Sequence, residues 1–180
     1  MEKNPTSPVS FSVNVARLPS KGMPVTIEAD DEQRAALAAE HGLVSVRTFR
    51  AALLVAPWKG DGVRITGEIE ADIVQQCVVT LDPLDARIAE PVEAVFLPRE
   101  SKLARGDSGG EIVLDADGPD APETFAGDTI DVGALAEELF AVAIDPYPRK
   151  EGVGIAAVGE DDAENDGPLR EKLRILQGKP

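Results

Sequence analysis

The clearest pattern in the chain is a regular alternation of side chains between Val63 and Ile73. Apolar residues or glycine fill every second position, and Arg64, Glu68 and Asp72 are among the polar residues between them. A period of two residues is typical of a β-strand with one buried face and one solvated face. The pattern therefore predicts a half-buried antiparallel strand.

The segments on either side of this strand predict two further strands. Val44–Val55 is a long apolar-rich segment, and Lys59–Gly62 has the composition of a turn. A second turn is predicted at Leu81–Asp85, followed by a third strand over residues 86–97. Pro91 within this last strand indicates an edge position or a bulge, because proline cannot donate a ladder hydrogen bond.

The N-terminal part predicts two short strands and a helix. Phe11–Ala16 alternates apolar and polar residues, and Val25–Ile27 reads as a second short strand. The helix is predicted over Glu32–Glu40, with Asp30 or Asp31 as its N-cap and Gly42 after its end. His41 lies at the C-terminal end of this helix, where a positive charge complements the helix dipole.

A second helix is predicted between Val132 and Ala143. Its apolar residues recur at helical spacing and form one face: Val132, Leu135, Ala136, Leu139, Phe140 and Ala143. Asp131 is the predicted N-cap, and Pro146 and Pro148 end the helix. Glu137 and Glu138 are assigned to its solvated face.

These elements predict an α+β fold: a mainly antiparallel sheet with two packed helices, a long acidic loop and a disordered C-terminal tail. A flexible lead over residues 1–8 precedes a single domain over residues 9–150. Residues 99–128 are rich in Gly, Pro and acidic side chains and are predicted to be a mobile loop, with a possible short strand at Ile112–Leu114. Residues 151–180 form an acidic tether that ends in a short basic helix.

The terminal helix has two interpretations of equal weight. Pro168 can open it, and Leu169, Leu173 and Leu176 then share one face beside several basic residues. It is either a docking element for a partner or a helix that folds back onto the domain.

The charge of the chain limits the classes of partner. The chain has 180 residues, with 33 acidic and 18 basic side chains, a formal net charge of −15 and a pI of about 4.4. Such a surface repels phosphate backbones and attracts basic proteins. The composition therefore argues against DNA binding and general RNA binding, but leaves room for a local basic patch.

The location of the protein is predicted to be the cytoplasm. Cys77 is the only cysteine, so no intramolecular disulfide can form. The N-terminus has no apolar signal core, and the longest apolar stretch, Ala51–Trp58, is far too short to cross a membrane.

No enzyme or cofactor site is predicted. One Cys and one His, Cys77 and His41, lie far apart in the sequence, and Cys77 is interpreted as a small buried residue. A tetrahedral zinc site cannot be built from this inventory without several carboxylates. The glycines of residues 106–110 lack the following Lys and Ser or Thr of a phosphate-binding loop.

The candidate contact residues belong to one hairpin and to the end of the domain. Trp58 is most simply an anchor for the hairpin turn or a cover on the core, and an exposed contact residue is the minority interpretation. Basic residues of the same hairpin cluster on one face if the strand register allows it. The full set of candidate RNA or partner contacts is Arg47, Arg50, Trp58, Lys59, Arg64, Arg149 and Lys150.

Two segments in this order resemble the YceD family, the large ribosomal RNA subunit accumulation proteins of bacteria. The first runs from Cys77 to Pro83, and it keeps Cys77, Leu81 and Pro83 of a cysteine turn of the form C-x-R-C-L-x-P. The second is the late helix with its proline-rich exit, marked by Asp131, Glu137, Pro146 and Pro148. Thr80 and Val79 replace the second Cys and the Arg of the commoner turn.

The resemblance implies a non-enzymatic factor needed for accumulation of large-subunit ribosomal RNA. With the acidic composition, it implies contacts to a basic ribosomal or assembly protein. The alternative is direct binding of large-subunit ribosomal RNA through the basic face of the hairpin.

Overall fold

The computed structural model describes residues 7–101 and 122–152, and within them it contains seven strands and two α-helices. A short 3-10 helix, Val15–Arg17, follows the first strand. The strands are β1 Ser12–Asn14, β2 Met23–Glu28, β3 Ser45–Trp58, β4 Gly62–Gln76, β5 Pro83–Pro98, β6 Glu123–Phe125 and β7 Thr129–Asp131. The helices are α1 Asp31–Glu40 and α2 Val132–Ala143.

The main sheet has the order β2-β3-β4-β5-β6. Strands β2 to β5 are antiparallel to their neighbours, while β6 runs parallel to the end of β5. The long strands follow from alternating apolar segments joined by short turns. The predicted α+β class, with a mainly antiparallel sheet and two helices, is confirmed.

One face of the sheet forms the core with both helices. The alternation in β4 buries Ile65, Ile69 and Ile73 at 1% exposure or less. Phe140 of α2 is fully buried and meets Phe49 of β3 edge to face, with ring centroids 5.4 Å apart. Aliphatic side chains and three buried phenylalanines, Phe49, Phe96 and Phe140, therefore fill the core of a chain that has few aromatic residues.

The first helix begins at a complete capping box. The Asp30 carboxylate accepts a hydrogen bond from the Gln33 backbone amide at 2.9 Å, and the Gln33 side chain accepts one from the Asp30 amide at 3.0 Å. These bonds satisfy amides that have no partner inside the helix. The predicted N-cap at Asp30 is confirmed, and the helix starts at Asp31.

Asp131 caps the second helix and also holds the N-terminal segment. One carboxylate oxygen accepts from the amides of Gly133 and Ala134 at 3.1 and 2.9 Å, and from that of Phe11 at 2.9 Å. The other oxygen accepts from the Ser10 hydroxyl. Partial burial alone raises the pKa of this carboxyl, but the four hydrogen bonds outweigh burial and lower the pKa below its usual value.

Residues 9–14 are fastened to β7 and to the start of α2. Strand β1 pairs with β7, and the Val132 amide donates to the Phe11 carbonyl at 3.0 Å. The approach is so close that a Cβ atom on Gly133 would lie 1.9 Å from the Val9 carbonyl oxygen. Only glycine fits at this position of the helix.

The second turn of the sheet lies earlier than predicted. The chain reverses over Val78–Thr80, and Pro83 already begins β5, where it pairs with Gln76. A proline is tolerated at the first residue of a strand because its missing N–H is not needed there. Among the described residues, Pro91 lies at an edge position, one of the two predicted alternatives, since β6 meets β5 only at Phe96–Pro98.

The predicted loop over residues 99–128 contains a strand that the sequence pattern did not indicate. Strand β6 is only three residues long, and it is held by pairing with β5 rather than by its own composition. The expected strand at Ile112–Leu114, most of the acidic tether and the basic terminal helix lie outside the described residues.

Candidate partner-binding surfaces

A ladder of alternating charges crosses four strands on the exposed face of the sheet. Arg50 contacts Glu28 at 3.4 Å and Glu70 at 3.9 Å, and Glu70 also accepts a hydrogen bond from Arg87 at 2.9 Å. Cross-strand neighbours on one face of a sheet are close enough for such pairs. The register therefore places Arg50 between two carboxylates.

The other arginines of the hairpin also contact carboxylates. Arg47 donates to Asp85 at 2.7 Å, and Arg64 donates to Glu93. Arg50 and Arg64 lie about 20 Å apart along the strands, given their register and the rise per residue. The predicted basic residues are thus spread out and individually compensated rather than gathered into one patch.

Trp58 and Lys59 lie at the end of the hairpin. The Lys59 ammonium is 5.5 Å from the centroid of the Trp58 ring, within the range of a cation–π contact. The half-buried Trp58 ends β3 opposite Gly62, and a Cβ atom on Gly62 would approach its ring to 3.1 Å. This placement favours the interpretation of Trp58 as an anchor for the turn.

The turn from Cys77 to Asp82 is closed by its own backbone. The Cys77 amide donates to the Asp82 carbonyl at 2.8 Å, and the Leu81 amide donates to the Cys77 carbonyl at 2.9 Å. The Thr80 amide points to the Cys77 sulfur at 3.5 Å. Cys77 is fully buried, as predicted, and fixes the turn from inside.

The surroundings of Cys77 favour its thiolate. The Thr80 side chain and the backbone amides of Thr80, Lys150 and Val79 lower the pKa of the thiol to about 6, while burial acts in the opposite direction. Because the sulfur has no solvent exposure, this pKa does not by itself make Cys77 a reactive group.

The proline-rich exit after α2 returns to this turn. The Val78 amide donates to the Pro148 carbonyl at 2.9 Å, and the Gln75 side chain donates to the Asp145 carbonyl at 2.7 Å. Lys150 contacts Asp82 at 3.4 Å. The two family-like segments of the sequence are therefore in direct contact, although more than sixty residues separate them.

Together these segments expose a group of apolar side chains. Relative exposures are 45% for Val78, 37% for Val79, 64% for Leu81 and 71% for Tyr147. We define these four residues as the apolar turn surface. Arg149 and Lys150 lie beside it, and Arg149 has no ion-pair partner within residues 7–101 and 122–152.

Leu81 has an unusual backbone conformation. Its φ angle of 62° makes it the one residue other than glycine with positive φ in the described part of the chain. The left-handed region costs an L-residue about 1 kcal/mol or more. A large apolar side chain is therefore held in a strained conformation and still points to solvent.

Glu137 is not on the solvated face of α2, so that prediction is wrong. Its residue exposure is 7%, and its carboxylate lies 3.1 Å from His41 Nε2. The His41 ring also meets Phe140 edge to face, with centroids 5.6 Å apart. The pair joins the end of α1 to α2, whereas the neighbouring Glu138 is exposed as predicted.

Other classes of site are not found in the parts of the chain that the structure covers. No group of three or more His, Cys, Asp or Glu side chains there is arranged to hold a metal ion. Among the described helices, none has the length and apolar character needed to span a membrane.

Sequence reasoning singled out Leu81 as a family position but missed Val78, Val79 and Tyr147 as surface residues. Two signals were available, namely consecutive valines beside a turn and a tyrosine between two prolines. Neither signal shows that the two segments meet, because that depends on the path of the chain after α2.

The fold and its surfaces define a small acidic α+β domain with a rigid apolar turn. The family model described as large ribosomal RNA subunit accumulation protein YceD matches residues 65–172, more than half of the chain. The chain belongs to this family, whose name associates it with accumulation of large-subunit ribosomal RNA. Searches of curated proteins and of solved structures gave no match.

Proposed function

We propose that the protein is a non-enzymatic, cytoplasmic factor in large-subunit assembly that binds a basic ribosomal or assembly protein through its acidic surface. The observation that carries this proposal is the neutralisation of the hairpin arginines. Arg47, Arg50 and Arg64 each contact a carboxylate, so they add little positive potential to a chain with net charge −15. Complementary charge then steers a basic protein to the surface and speeds association.

The test uses purified full-length protein and the proteins extracted from large ribosomal subunits. Association is measured at low and at physiological salt. Five acidic residues of the predicted loop are neutralised at constant length to give the loop-neutralised variant: Asp107→Asn, Glu111→Gln, Asp115→Asn, Asp117→Asn and Asp120→Asn. We expect association to slow by roughly tenfold at low salt, with a smaller effect at high salt, because steering is screened.

The control variants remove positive charges instead of negative ones. Lys21→Gln and Arg99→Gln each remove one positive charge, and neither residue forms an ion pair within the described chain. The acidic-surface proposal predicts unchanged or faster association for these variants. Equal binding by wild type and the loop-neutralised variant would contradict it.

Direct binding of large-subunit ribosomal RNA is a second candidate, favoured by one observation. Arg149 is exposed and unpaired within the described residues, beside Lys150 and an exposed tyrosine. Cations next to an aromatic ring can bind phosphate and stack a base. Arg149→Glu with Lys150→Glu should then abolish binding to large-subunit RNA fragments. Arg50→Glu with Arg64→Glu tests the hairpin alternative. If both double variants bind RNA as the wild type does, neither surface is the RNA-binding site.

A further inference from the structure

The apolar turn surface concentrates the exposed apolar residues of the domain. Eight large apolar residues are exposed within the described chain, and four of them belong to this surface. The other four are Phe11, Val44, Leu54 and Val142. Single exposed apolar residues need no explanation, but a group on one rigid turn indicates a contact site.

The rigidity of the surface comes from two sets of bonds. The turn is closed by the Cys77 and Leu81 amides, and the Gln76 side chain donates to the Leu81 carbonyl at 3.2 Å. The exit segment is bound to it through the Val78 amide and the Pro148 carbonyl. An apolar side chain on a preorganised backbone loses little entropy on binding.

The conformation of Leu81 supports a role in binding rather than in folding. A glycine or asparagine at this position would adopt positive φ with less strain. The side chain of Leu81 is 64% exposed, so burial in the core does not offset the strain. Strain that is retained without a folding benefit points to a function for the side chain itself.

We propose that the apolar turn surface is the docking site for a basic protein of the large ribosomal subunit that presents an apolar groove. The inference rests on the proposed function and names its contact site. The overall negative charge selects and steers a basic partner. Leu81 and Tyr147 then enter the groove and hold the complex, as apolar and aromatic anchors do at the centre of protein interfaces.

Steering by the acidic residues and anchoring by the apolar side chains affect different rate constants. Loss of acidic residues slows association and is screened by salt, whereas loss of an apolar anchor speeds dissociation at every salt concentration. The two contributions can therefore be separated in one set of measurements.

The experiment measures binding of full-length variants to the purified proteins of the large ribosomal subunit. Leu81→Ala removes the side chain but keeps the backbone strain, whereas Leu81→Gly removes both. Leu54→Ala is the matched control, since Leu54 is 41% exposed and pairs with Thr66, roughly 30 Å along β4 from the turn. We expect dissociation to be roughly tenfold faster for both Leu81 variants and for Tyr147→Ala, and unchanged for Leu54→Ala.

Thermal unfolding separates loss of binding from loss of folding. Leu81→Gly should be at least as stable as Leu81→Ala, because glycine adopts the left-handed conformation more easily. Weak binding by a protein with undiminished stability would support the docking role.

Several results would overturn the inference. Normal binding by the Leu81 variants, together with slow association of the loop-neutralised variant, would reject the docking site and retain the proposed function. Absence of salt-dependent binding in the wild type would reject the proposed function itself.

Three further results would identify a different occupant of the surface and reject the docking site. Loss of binding to large-subunit ribosomal RNA alone would identify RNA. A wild-type dimer that Leu81→Gly converts to a monomer would identify a second copy of the chain. Nuclear magnetic resonance shifts in residues 168–176 of free Leu81→Gly would identify the chain's own C-terminal segment.

Discussion

At the scale of single residues, Glu137 and Glu138 are neighbours in the sequence but have opposite environments. Glu138 is exposed, whereas Glu137 is buried against His41. A buried carboxylate needs a hydrogen-bonding partner, and His41 provides it. The sequence could not show this arrangement, because two consecutive glutamates on a helix resemble a solvated face and the partner is 96 residues away.

Replacement of Glu137 should therefore destabilise the protein more than replacement of Glu138. Glu137→Ala leaves the half-buried His41 nitrogen without its acceptor and should lower the free energy of unfolding by about 1–3 kcal/mol. Glu138→Ala should change it by less than about 0.5 kcal/mol. Urea denaturation of both variants, with a double-mutant cycle that includes His41→Ala, measures the difference. Equal effects of the two replacements would show that the contact contributes nothing.

At the scale of elements, the long strands and both helices were predictable because each has a local pattern. The alternation in β4, the capping residue Asp30 and the apolar face of α2 are all visible in the sequence. Strand β6 and the exact turn position were not, since they depend on pairing with β5. The contact surfaces were less predictable still. The hairpin arginines are paired across strands, and the apolar turn surface is built from segments that only the fold brings together.

The Asp131 cap of α2 predicts how the stability of the protein depends on pH. Asp131→Ala removes bonds to the helix and to the N-terminal segment, so it should cost about 2 kcal/mol at neutral pH, near the upper end for a cap. The folded-state pKa of Asp131 is lowered, so its contribution is present above the unfolded pKa of about 3.9 and is lost as pH falls through the folded value. The difference in free energy of unfolding between wild type and Asp131→Ala should therefore be smaller at pH 3 than at pH 7, which denaturation at both pH values measures.

Asp30→Ala is the reference for this measurement. Asp30 caps α1 and, within the described residues, its side chain holds no second segment of chain. Its removal should cost about 1 kcal/mol at neutral pH. An effect of Asp131→Ala no larger than that of Asp30→Ala would mean that fastening the N-terminal segment adds no stability.

At the scale of the whole molecule, the excess of carboxylates governs behaviour in salt. Acidic side chains repel one another in the compact state, and they do so most strongly at low ionic strength. The exposed ion pairs of the sheet oppose this effect, but such pairs contribute at most about 1 kcal/mol each.

Added salt should therefore stabilise the protein. Screening lengths fall from about 30 Å at 0.01 M to about 8 Å at 0.15 M ionic strength. The thermal midpoint should rise over this range, and calorimetry or circular dichroism can follow it. The loop-neutralised variant should show a smaller rise. A falling midpoint would mean that the ion pairs outweigh the repulsion.

The fastening of the N-terminal segment to α2 also sets an order of events during synthesis. Strand β2 pairs with β3 across the α1 connection, and β3–β4 and β4–β5 are hairpins, so these strands can pair in the order in which they are made. Residues 9–14 are made before all of them, yet their partners, β7 and the Val132 amide, are among the last described residues to be translated. Strand β1 must therefore wait for its partner β7 until strands β2 to β5 have been synthesised.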